Sequence, residues 1–462
     1  MQNTGGDLAP LGLTQLAAYL RQYQYSVGII DAVVDRYEID ELVDKIIELK
    51  PRIIGLTAIT PIFHRAKLLA KKIKEKDPSV FIILGGHHAT VLPEDVIKSN
   101  KCFDMLVCSE GELTIKEILD KLKKSEWNKK LLLNNYKELS KTQGIAFRDN
   151  NSAVITPKRE LITDLDILPL PAWDLLPMEK YLPLPNQYKR KPVANLVAIR
   201  GCPFGCSFCS NNSIFGRRAR ALSPVKLLEW IEYLIKHYGV REISFWDDMM
   251  TINKDWMNKF CDVLINSNTD ITWTCYARVD TVDLDVLKHI RKAGCCNIFF
   301  GFESGNQELL NNINKGTTLD QIRAANSWCK EVGIEVRASF MVGLPGETPE
   351  MAEKTISFVK ELSPDYVQFC ITTPFPGTQL FYEAEKYGLL TKDYSEYNIW
   401  KAVFVPYGYK DAKQIENISK RAMRQFYLRP KYVIGRILKV DSKEDLVRYF
   451  KGLKLLLGFI KK

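Results

Sequence analysis

Long apolar runs are missing from this 462-residue chain. No stretch approaches the roughly 18 consecutive apolar residues that span a bilayer, and Met1 to Leu8 lack the charged-then-apolar layout of a signal peptide. A membrane-spanning or secreted protein is therefore excluded as an expectation, and the cytoplasm is the expected location. Histidine is scarce, with five residues. No Gly-x-Gly-x-x-Gly follows the first strand-like segment, which disfavours a dinucleotide. No second Cys-x-x-Cys exists, and the nearest downstream histidine, His237, lies in a helix-like stretch, so a closed four-ligand zinc site fits poorly. Eleven cysteines in 462 residues are no dense disulfide scaffold. No nucleic-acid motif accompanies the net charge of +10, so nucleic acid is not an expected partner.

What is present is a concentration of thiols. Cys202, Cys206 and Cys209 lie in Arg200-Gly201-Cys202-Pro203-Phe204-Gly205-Cys206-Ser207-Phe208-Cys209, directly after the strand-like Leu196 to Ile199. A four-iron cluster usually takes four cysteine ligands, and three thiolates on one loop leave one iron open. An open iron at a strand's C-terminal end is where a small chelating cofactor can bind and be reduced.

The organisation along the chain is α/β. Residues 1–126 alternate β-branched runs (Ser26 to Ile30, Arg52 to Leu56, Val80 to Leu84, Asp104 to Val107) with helix-period segments (Leu13 to Tyr23, Glu41 to Leu49, Pro61 to Lys76, Glu112 to Lys124). This is the pattern of a Rossmann-like, doubly wound domain. Ligands of such folds bind at the carboxyl ends of the strands, here Thr57 to Thr60, Gly85-Gly86-His87-His88-Ala89-Thr90 and Ser109-Glu110-Gly111-Glu112. Residues 127–191 read as a proline-containing linker with a short strand pair at 144–148 and 153–155. Residues 192–390 hold six strand-helix units, with strands at 196–199, 242–246, 272–276, 297–302, 335–342 and 366–371, which predict a partial (β/α)6 barrel with its chemistry on the loops after the strands. Residues 391–462 read as a helical C-terminal region. Its basic, apolar tail, Lys451 to Lys462, predicts either a docked terminal helix or a peripheral contact with a membrane surface.

The six strand ends collect the cysteines, Asp247-Asp248, Arg278 with Asp280, Gly301-Phe302-Glu303-Ser304-Gly305, Arg337 with Gly343, Pro345, Gly346 and Glu347, and Thr372, Thr373 with Gly377. Singly, each has a plain structural explanation: the aspartates as helix caps, Gly-Leu-Pro-Gly as a turn, Arg337 as one half of an ion pair. Jointly, on one barrel mouth, they read as a site.

Cys-x-x-x-Cys-x-x-Cys followed by Phe-x-Asp-Asp, Gly-Phe-Glu-Ser-Gly and Gly-Leu-Pro-Gly-Glu-Thr resembles the radical S-adenosylmethionine superfamily. The N-terminal Gly-Gly-His-His-Ala-Thr resembles the cobalamin-binding domain of its cobalamin-dependent class, the methyltransferase and oxidative cyclase-like group. The resemblance covers about residues 8–390. It implies three cofactors: a 4Fe-4S cluster on Cys202, Cys206 and Cys209, S-adenosylmethionine on the remaining iron, and cobalamin. It implies that Asp247 and Asp248 contact the methionine part or the substrate in catalysis. Glu303 and Ser304 match the segment used around ribose and methionine, Arg337 would pair with the methionine carboxylate, and Gly343 to Gly346 would approach the adenosine. Thr57, Thr60, Gly85, Gly86, His88, Gly111 and Glu112 would contact cobalamin. The Asp-x-His-x-x-Gly motif that supplies an axial histidine in many cobalamin proteins is absent. The chain also reaches Pro10-Leu11-Gly12 without the opening strand that the family normally shows before it.

The implied activity is reductive cleavage of S-adenosylmethionine to a 5′-deoxyadenosyl radical, used in methyl transfer to an unactivated carbon or to phosphorus. An oxidative cyclase-like reaction, a radical enzyme without cobalamin, and a non-catalytic iron-sulfur electron carrier are the alternatives. The implied partners are a small-molecule or lipid-like substrate and an external electron donor of flavodoxin or ferredoxin type.

Overall fold

Alternating apolar strands build the N-terminal sheet. A computed structural model describes residues 6–150, 152–440 and 442–461, with backbone only at 455–457 and 459–461. Strands β1 (Ile53–Thr57), β2 (Phe81–Gly85) and β3 (Met105–Val107) run parallel, and the hairpin β4 (Ile145–Asp149) and β5 (Ser152–Ile155) adds antiparallel to β3, giving the order β1-β2-β3-β4-β5. The expected hairpin in the proline-containing segment therefore extends this sheet, and that segment is not wholly a linker. Side chains leave the strands on alternate faces. Phe81 and Ile83 pack with Leu20, Ile118, Leu119 and Leu122 from helices Leu11–Gln22 and Glu112–Lys124. Ile82 and Leu84 pack with Val43, Ile46, Ala70, Ile73 and Val96 from helices on the other side. The sheet is doubly wound, as its pattern predicts.

One expected strand does not form. In 26–30 the side chains of Val27 and Ile29 pack beside Ala17, Ala18 and Ala172, but among the described residues the backbone joins no sheet. Its apolar alternation is used in packing alone.

The second sheet begins at β6 (Val193–Leu196) and continues, after the short pair β7 (Ile199–Arg200) and β8 (Arg220–Ala221), through β9 (Glu242–Phe245), β10 (Thr272–Ala277), β11 (Cys295–Glu303), β12 (Glu335–Val342) and β13 (Tyr366–Ile371). Six strands pair in parallel in the order β13-β12-β11-β10-β9-β6, with β6 and β13 left unpaired with each other, which is an open barrel. The outer faces are apolar: Val336, Ala338, Phe340 and Val342 of β12, and Val367, Phe369 and Ile371 of β13, join one core with the surrounding helices. Helix Ala412–Tyr427 covers β13 through Ile415, Ile418 and Ala422, and Ser419 Oγ donates to the Phe369 carbonyl at 2.9 Å. The final strand thus takes its covering helix from the C-terminal region.

The alternate residues face inward and are polar or aromatic: Asn195, Ser244, Trp246, Tyr276, Asn297, Phe299, Arg337 and Gln368. A barrel interior made for stability alone is dominated by Val, Ile and Leu. This interior carries the polar and aromatic groups of a binding surface.

Candidate active site at the mouth of the barrel

The cysteine loop is a closed hairpin. Ile199 pairs with Ala221 and Arg200 with Arg220, so residues 201–219 leave and return at one point. Gly201, at φ +92°, lies so close to the Arg218 carbonyl that a Cβ would stand 2.3 Å from its oxygen, so only glycine fits. The Ser207 N–H donates to the Ile313 carbonyl at 3.0 Å, and the Leu380 N–H to the Ser207 carbonyl at 2.8 Å. Cys202 and Cys206 are half-buried and Cys209 is exposed; none is in a disulfide. Among the described residues no three His, Cys, Asp or Glu side chains converge on a single-ion point. Three thiols on one loop can each ligate one corner of a multi-iron cluster.

Arg278, directly after β10, sits over this loop. Its Nη1 donates to Cys206 Sγ at 3.4 Å and its guanidinium lies 3.7 Å from the Phe204 ring centre. Asp280 holds it at two points, both 2.9 Å, and the Lys315 carbonyl accepts from Nη2 at 2.6 Å. Asp280 and the Lys315 carbonyl thus fix the guanidinium in place against the cysteine loop.

Asp247 and Asp248 follow β9 and turn toward the same loop. Asp247 Oδ1 accepts from the N–H groups of Ala198, at 2.7 Å, and Ile199, while its Oδ2 is buried without a partner. Asp248 Oδ2 accepts from Gly201 N–H at 2.7 Å. Neither caps the next helix, whose first turn is capped by Asn253. Burial pushes the Asp247 carboxyl up to about 7, against the pull of its two N–H donors. Both carboxylates anchor the entry to the cysteine loop.

Glu303 is carried by a register shift between β11 and β12 at Gly301 and Glu303, and stands at φ +63°. A bulge re-aims a side chain, and a non-glycine residue in the left-handed region is held there by its surroundings. Lys315 Nζ holds Glu303 Oε1 at 2.7 Å, with both side chains buried. Ser304 faces elsewhere: its Oγ lies 3.2 Å from Thr355 Oγ1 and accepts from Asn306 N–H at 3.1 Å. Its role is local, at the start of the helix Gln307–Asn312. Gly343 and Gly346, at φ +81° and +77°, form a turn closed by the Glu347 carboxylate, which accepts from Gly343 and Leu344 N–H. Burial pushes Glu347 up to about 7.

Arg337 lies inside the chamber and not at its rim. It stands in register with Phe299 and Tyr366, and Nε donates to Asn297 Oδ1 at 2.6 Å. None of its contacts is with the cysteine loop.

The N-terminal sheet presents its strand ends to this mouth. Glu110 and Glu112, after β3, are buried and bound to the barrel: Arg200 donates to Glu110 at 3.0 Å and to Glu112 at 2.7 Å, and Arg220 donates to Glu110 at 2.9 Å. Ser109 Oγ donates to the Ile214 carbonyl at 2.7 Å. Glu112, expected among cobalamin contacts, is thus engaged with Arg200, and a Cβ on Gly111 would touch Leu16 at 3.1 Å, so this pair joins protein to protein. Gly86 is likewise required by packing, since a Cβ would stand 2.6 Å from Thr57 Oγ1. His88 is buried, with Nδ1 3.1 Å from Thr60 Oγ1, its ring 4.1 Å from Phe63 and 5.5 Å from Tyr394. Burial lowers its pKa to about 4, so it is a neutral core histidine. Thr57, Gly85 and Gly55 remain open. Thr57 and Gly55 are exposed, a Cβ on Gly55 would meet nothing within 4 Å, and one on Gly85 would make only ordinary contacts at 3.7 Å or more. Exposed Ile59 and Ile62 add an apolar rim. An uncovered strand edge with an apolar rim is a cradle that a large planar ligand fits.

Sequence reasoning missed Lys315 altogether and assigned no role to Arg278 or Arg200. Arg278 had a signal, its place one residue after a barrel strand; Lys315, in a turn, had none.

Both halves of the chain resemble known proteins. Residues 196–359 match the radical SAM superfamily model and residues 1–119 the B12 binding domain model. An uncharacterized methyltransferase of Pyrococcus horikoshii is 36% identical over 93% of this chain and 90% of its own length. The anaerobic magnesium-protoporphyrin IX monomethyl ester cyclase of Rubrivivax gelatinosus is 31% identical over 97% of this chain and 81% of its own. Among solved structures, the cobalamin-dependent radical enzyme OxsB superposes with a TM-score of 0.73 at 18% identity, covering 98% of this chain and 71% of that one. TsrM of Kitasatospora setae superposes at 0.67 and 17%, covering 91% and 79%.

The chain therefore belongs to the cobalamin-binding radical S-adenosylmethionine enzymes. It is an enzyme of that family, whose cofactors are a 4Fe-4S cluster, S-adenosylmethionine and cobalamin. It acts on a small molecule and needs a reductant. Among the described residues no helix is long and apolar enough to cross a membrane.

Proposed function

We propose that this enzyme transfers a methyl group to an unactivated carbon or to phosphorus of its substrate, in the space between the cysteine loop and the strand ends of the N-terminal sheet. The observation that supports the reading is the direct attachment of the two halves by Arg200, Glu110 and Glu112, which ties the loop after β3 to the stem of the hairpin that carries Cys202, Cys206 and Cys209. When bound, the cluster supplies the electron that cleaves S-adenosylmethionine to a 5′-deoxyadenosyl radical and the corrinoid supplies a methyl carrier.

The residues of the chain position these groups. Cys202, Cys206 and Cys209 would ligate three irons. Asp247 and Asp248 hold the loop by its N–H groups and are positioning residues. Arg278 holds the Cys206 sulfur in place through its Nη1. Glu303 and Lys315 offer a carboxylate and an ammonium to the polar ends of S-adenosylmethionine, and the turn at Gly343 and Gly346 lies where backbone can approach its base. Thr57 and Gly85 line the cradle for cobalamin.

The name of the 36% identical relative supports methyl transfer, as does that of the cytidylyl-2-hydroxyethylphosphonate methyltransferase of Streptomyces wedmorensis, 24% identical over 91% of this chain. A cyclase-like reaction is the second reading, favoured by the 31% identical relative. Anaerobically reconstituted enzyme, given methyl-labelled S-adenosylmethionine, a reductant and a candidate substrate, separates them. Methyl transfer yields S-adenosylhomocysteine and 5′-deoxyadenosine with label in the product; 5′-deoxyadenosine with an unlabelled product would overturn it in favour of the cyclase.

The electron donor we assign to the flavodoxin or ferredoxin type, supported by the exposure of Cys209, and the location to the cytoplasm, where unpaired cysteines persist. We also assign the C-terminal helices a peripheral membrane contact. Helix Lys443–Lys461 is docked by one side, where Arg448 donates to the Tyr188 carbonyl at 2.6 Å, while Leu446, Val447 and Phe450 of that helix, with Ile434, Ile437 and Leu438 of the preceding one, are exposed. Residues Leu455 to Leu457 and Phe459 to Ile460, part of the same sequence expectation, have side chains outside the described residues. Cosedimentation with vesicles containing anionic lipid is expected, and its absence would remove this contact.

A further inference from the structure

Among the described residues four arginines are buried, and three of them have a carboxylate: Arg220 has Glu110 at 2.9 Å, Arg278 has Asp280 at 2.9 Å and Arg448 has Asp445 at 2.8 Å. Arg337, 3% exposed, has none among the described residues. Its Nε donates to the neutral amide of Asn297, its guanidinium also bonds the neutral Tyr276 phenol, and its Nη2 is buried without an acceptor. The acidic side chains on the inward-facing register are already taken: Glu303 by Lys315, Glu335 by Arg436, and Glu242 by the N–H groups of Lys189 and Arg190. Tyr276 beside it supplies no charge, because burial raises the pKa of that phenol and keeps it neutral despite the pull of Arg337. A guanidinium taken out of water without a counter-charge is costly, and folded proteins pair such groups or reserve them for a ligand.

The surroundings of Arg337 define that ligand. Asn297 Nδ2, on the amide that already accepts from Arg337, is a second buried donor without an acceptor. Two neighbouring N–H donors match the two oxygens of one carboxylate. Next to them Trp246, Tyr276 and Phe299 form a continuous aromatic wall, with ring centres 5.4 and 5.0 Å apart and the Arg337 guanidinium 5.2 Å from Phe299. All three rings are half-buried. We propose that Arg337 and Asn297 form a carboxylate-binding subsite inside the barrel, which holds the substrate by an acid group while its flat apolar body lies on Trp246, Tyr276 and Phe299. The assignment rests on the reading of this barrel as the reaction chamber. It gives Arg337 to the substrate, and leaves S-adenosylmethionine to the rim, where Arg278, Glu303 and Lys315 stand.

The test is calorimetric titration of the cluster-loaded enzyme, with S-adenosylmethionine present, using naphthalene-2-carboxylate, indole-3-carboxylate and the methyl ester of each. The acids are expected to bind roughly ten- to a hundredfold more tightly than their esters, the loss of a charged hydrogen bond. Arg337→Met is expected to abolish that preference. Because a charge deletion in the interior can impair folding, Asn297→Asp is the second variant. It supplies Arg337 with an internal carboxylate, so it is expected to raise the melting temperature while abolishing acid binding. Equal binding of acids and esters by the unmodified enzyme would overturn the proposal. So would an acid preference that persists in Asn297→Asp. Loss of S-adenosylmethionine affinity in Arg337→Met would assign the guanidinium to the cofactor instead. Loading of iron in the unmodified enzyme is measured first, so failure of the cluster assignment is seen separately.

Discussion

Arg200, two residues before the first cluster cysteine, donates to Glu112 at 2.7 Å across the boundary between the N-terminal sheet and the barrel. Glu110 shares the same guanidinium and also binds Arg220, at the other stem of the cysteine hairpin. The hairpin that carries the thiols is therefore clamped by the loop after β3.

Breaking this clamp is expected to destabilise the protein. Arg200→Met leaves Glu112 buried without its cation, and losing one partner of a buried pair costs about 3–5 kcal/mol. The melting temperature should fall. The double variant Arg200→Met with Glu112→Gln should recover part of the loss, because the stranded charge is gone. A melting temperature unchanged by Arg200→Met would show that the clamp is not structural.

Asp248→Ala is expected to leave the barrel folded and to lower iron incorporation. The Gly201 N–H loses its acceptor, and Gly201 is the residue on which the loop turns. Iron and sulfide analysis, beside a circular dichroism spectrum of the unmodified protein, checks this. Full iron content would remove Asp248 from loop positioning.

Glu347 predicts a pH dependence of stability. Its pKa is raised from 4.5 to about 7 by burial, so the folded chain holds a proton that the unfolded chain has released between these values. With fewer protons on the unfolded state, stability falls as pH rises through that window and is flat above it. Tyr409, which faces Glu347, is raised as well and stays neutral. Glu347→Gln should keep the N–H contacts of the turn and flatten this part of the curve. Melting temperatures measured between pH 4.5 and 7.5 test it; identical slopes in both proteins would contradict the assignment.

Much of this was legible in the sequence. Period-two apolar runs gave β9 to β13 within a few residues, because a parallel strand buried on one face and lining a chamber on the other must alternate. The cysteine spacing located the loop directly. The first barrel strand was misplaced, since Leu196 to Ile199 is apolar throughout, yet only residues up to Leu196 join the sheet while Ile199 pairs with Ala221. The resemblance places the aspartates at the methionine part or the substrate; the donors they accept from in the structure are backbone N–H groups, which carry no sequence signal. Lys315 and Glu112 illustrate the same limit. Their partners are distant in the chain, and a long-range ion pair leaves no local pattern.

Replacing Cys206 by Ala should remove one of three thiolates and the sulfur that Arg278 faces. Formation of 5′-deoxyadenosine from S-adenosylmethionine under a strong reductant should be abolished, with the fold retained. Activity near that of the unmodified enzyme would refute the ligand set.

The most direct measurement is electron paramagnetic resonance of the reduced, iron-reconstituted enzyme before and after S-adenosylmethionine is added. Three thiolates and an open iron predict a reduced four-iron signal whose g values shift on addition. A signal that does not respond, or zinc bound in place of iron, would contradict the account.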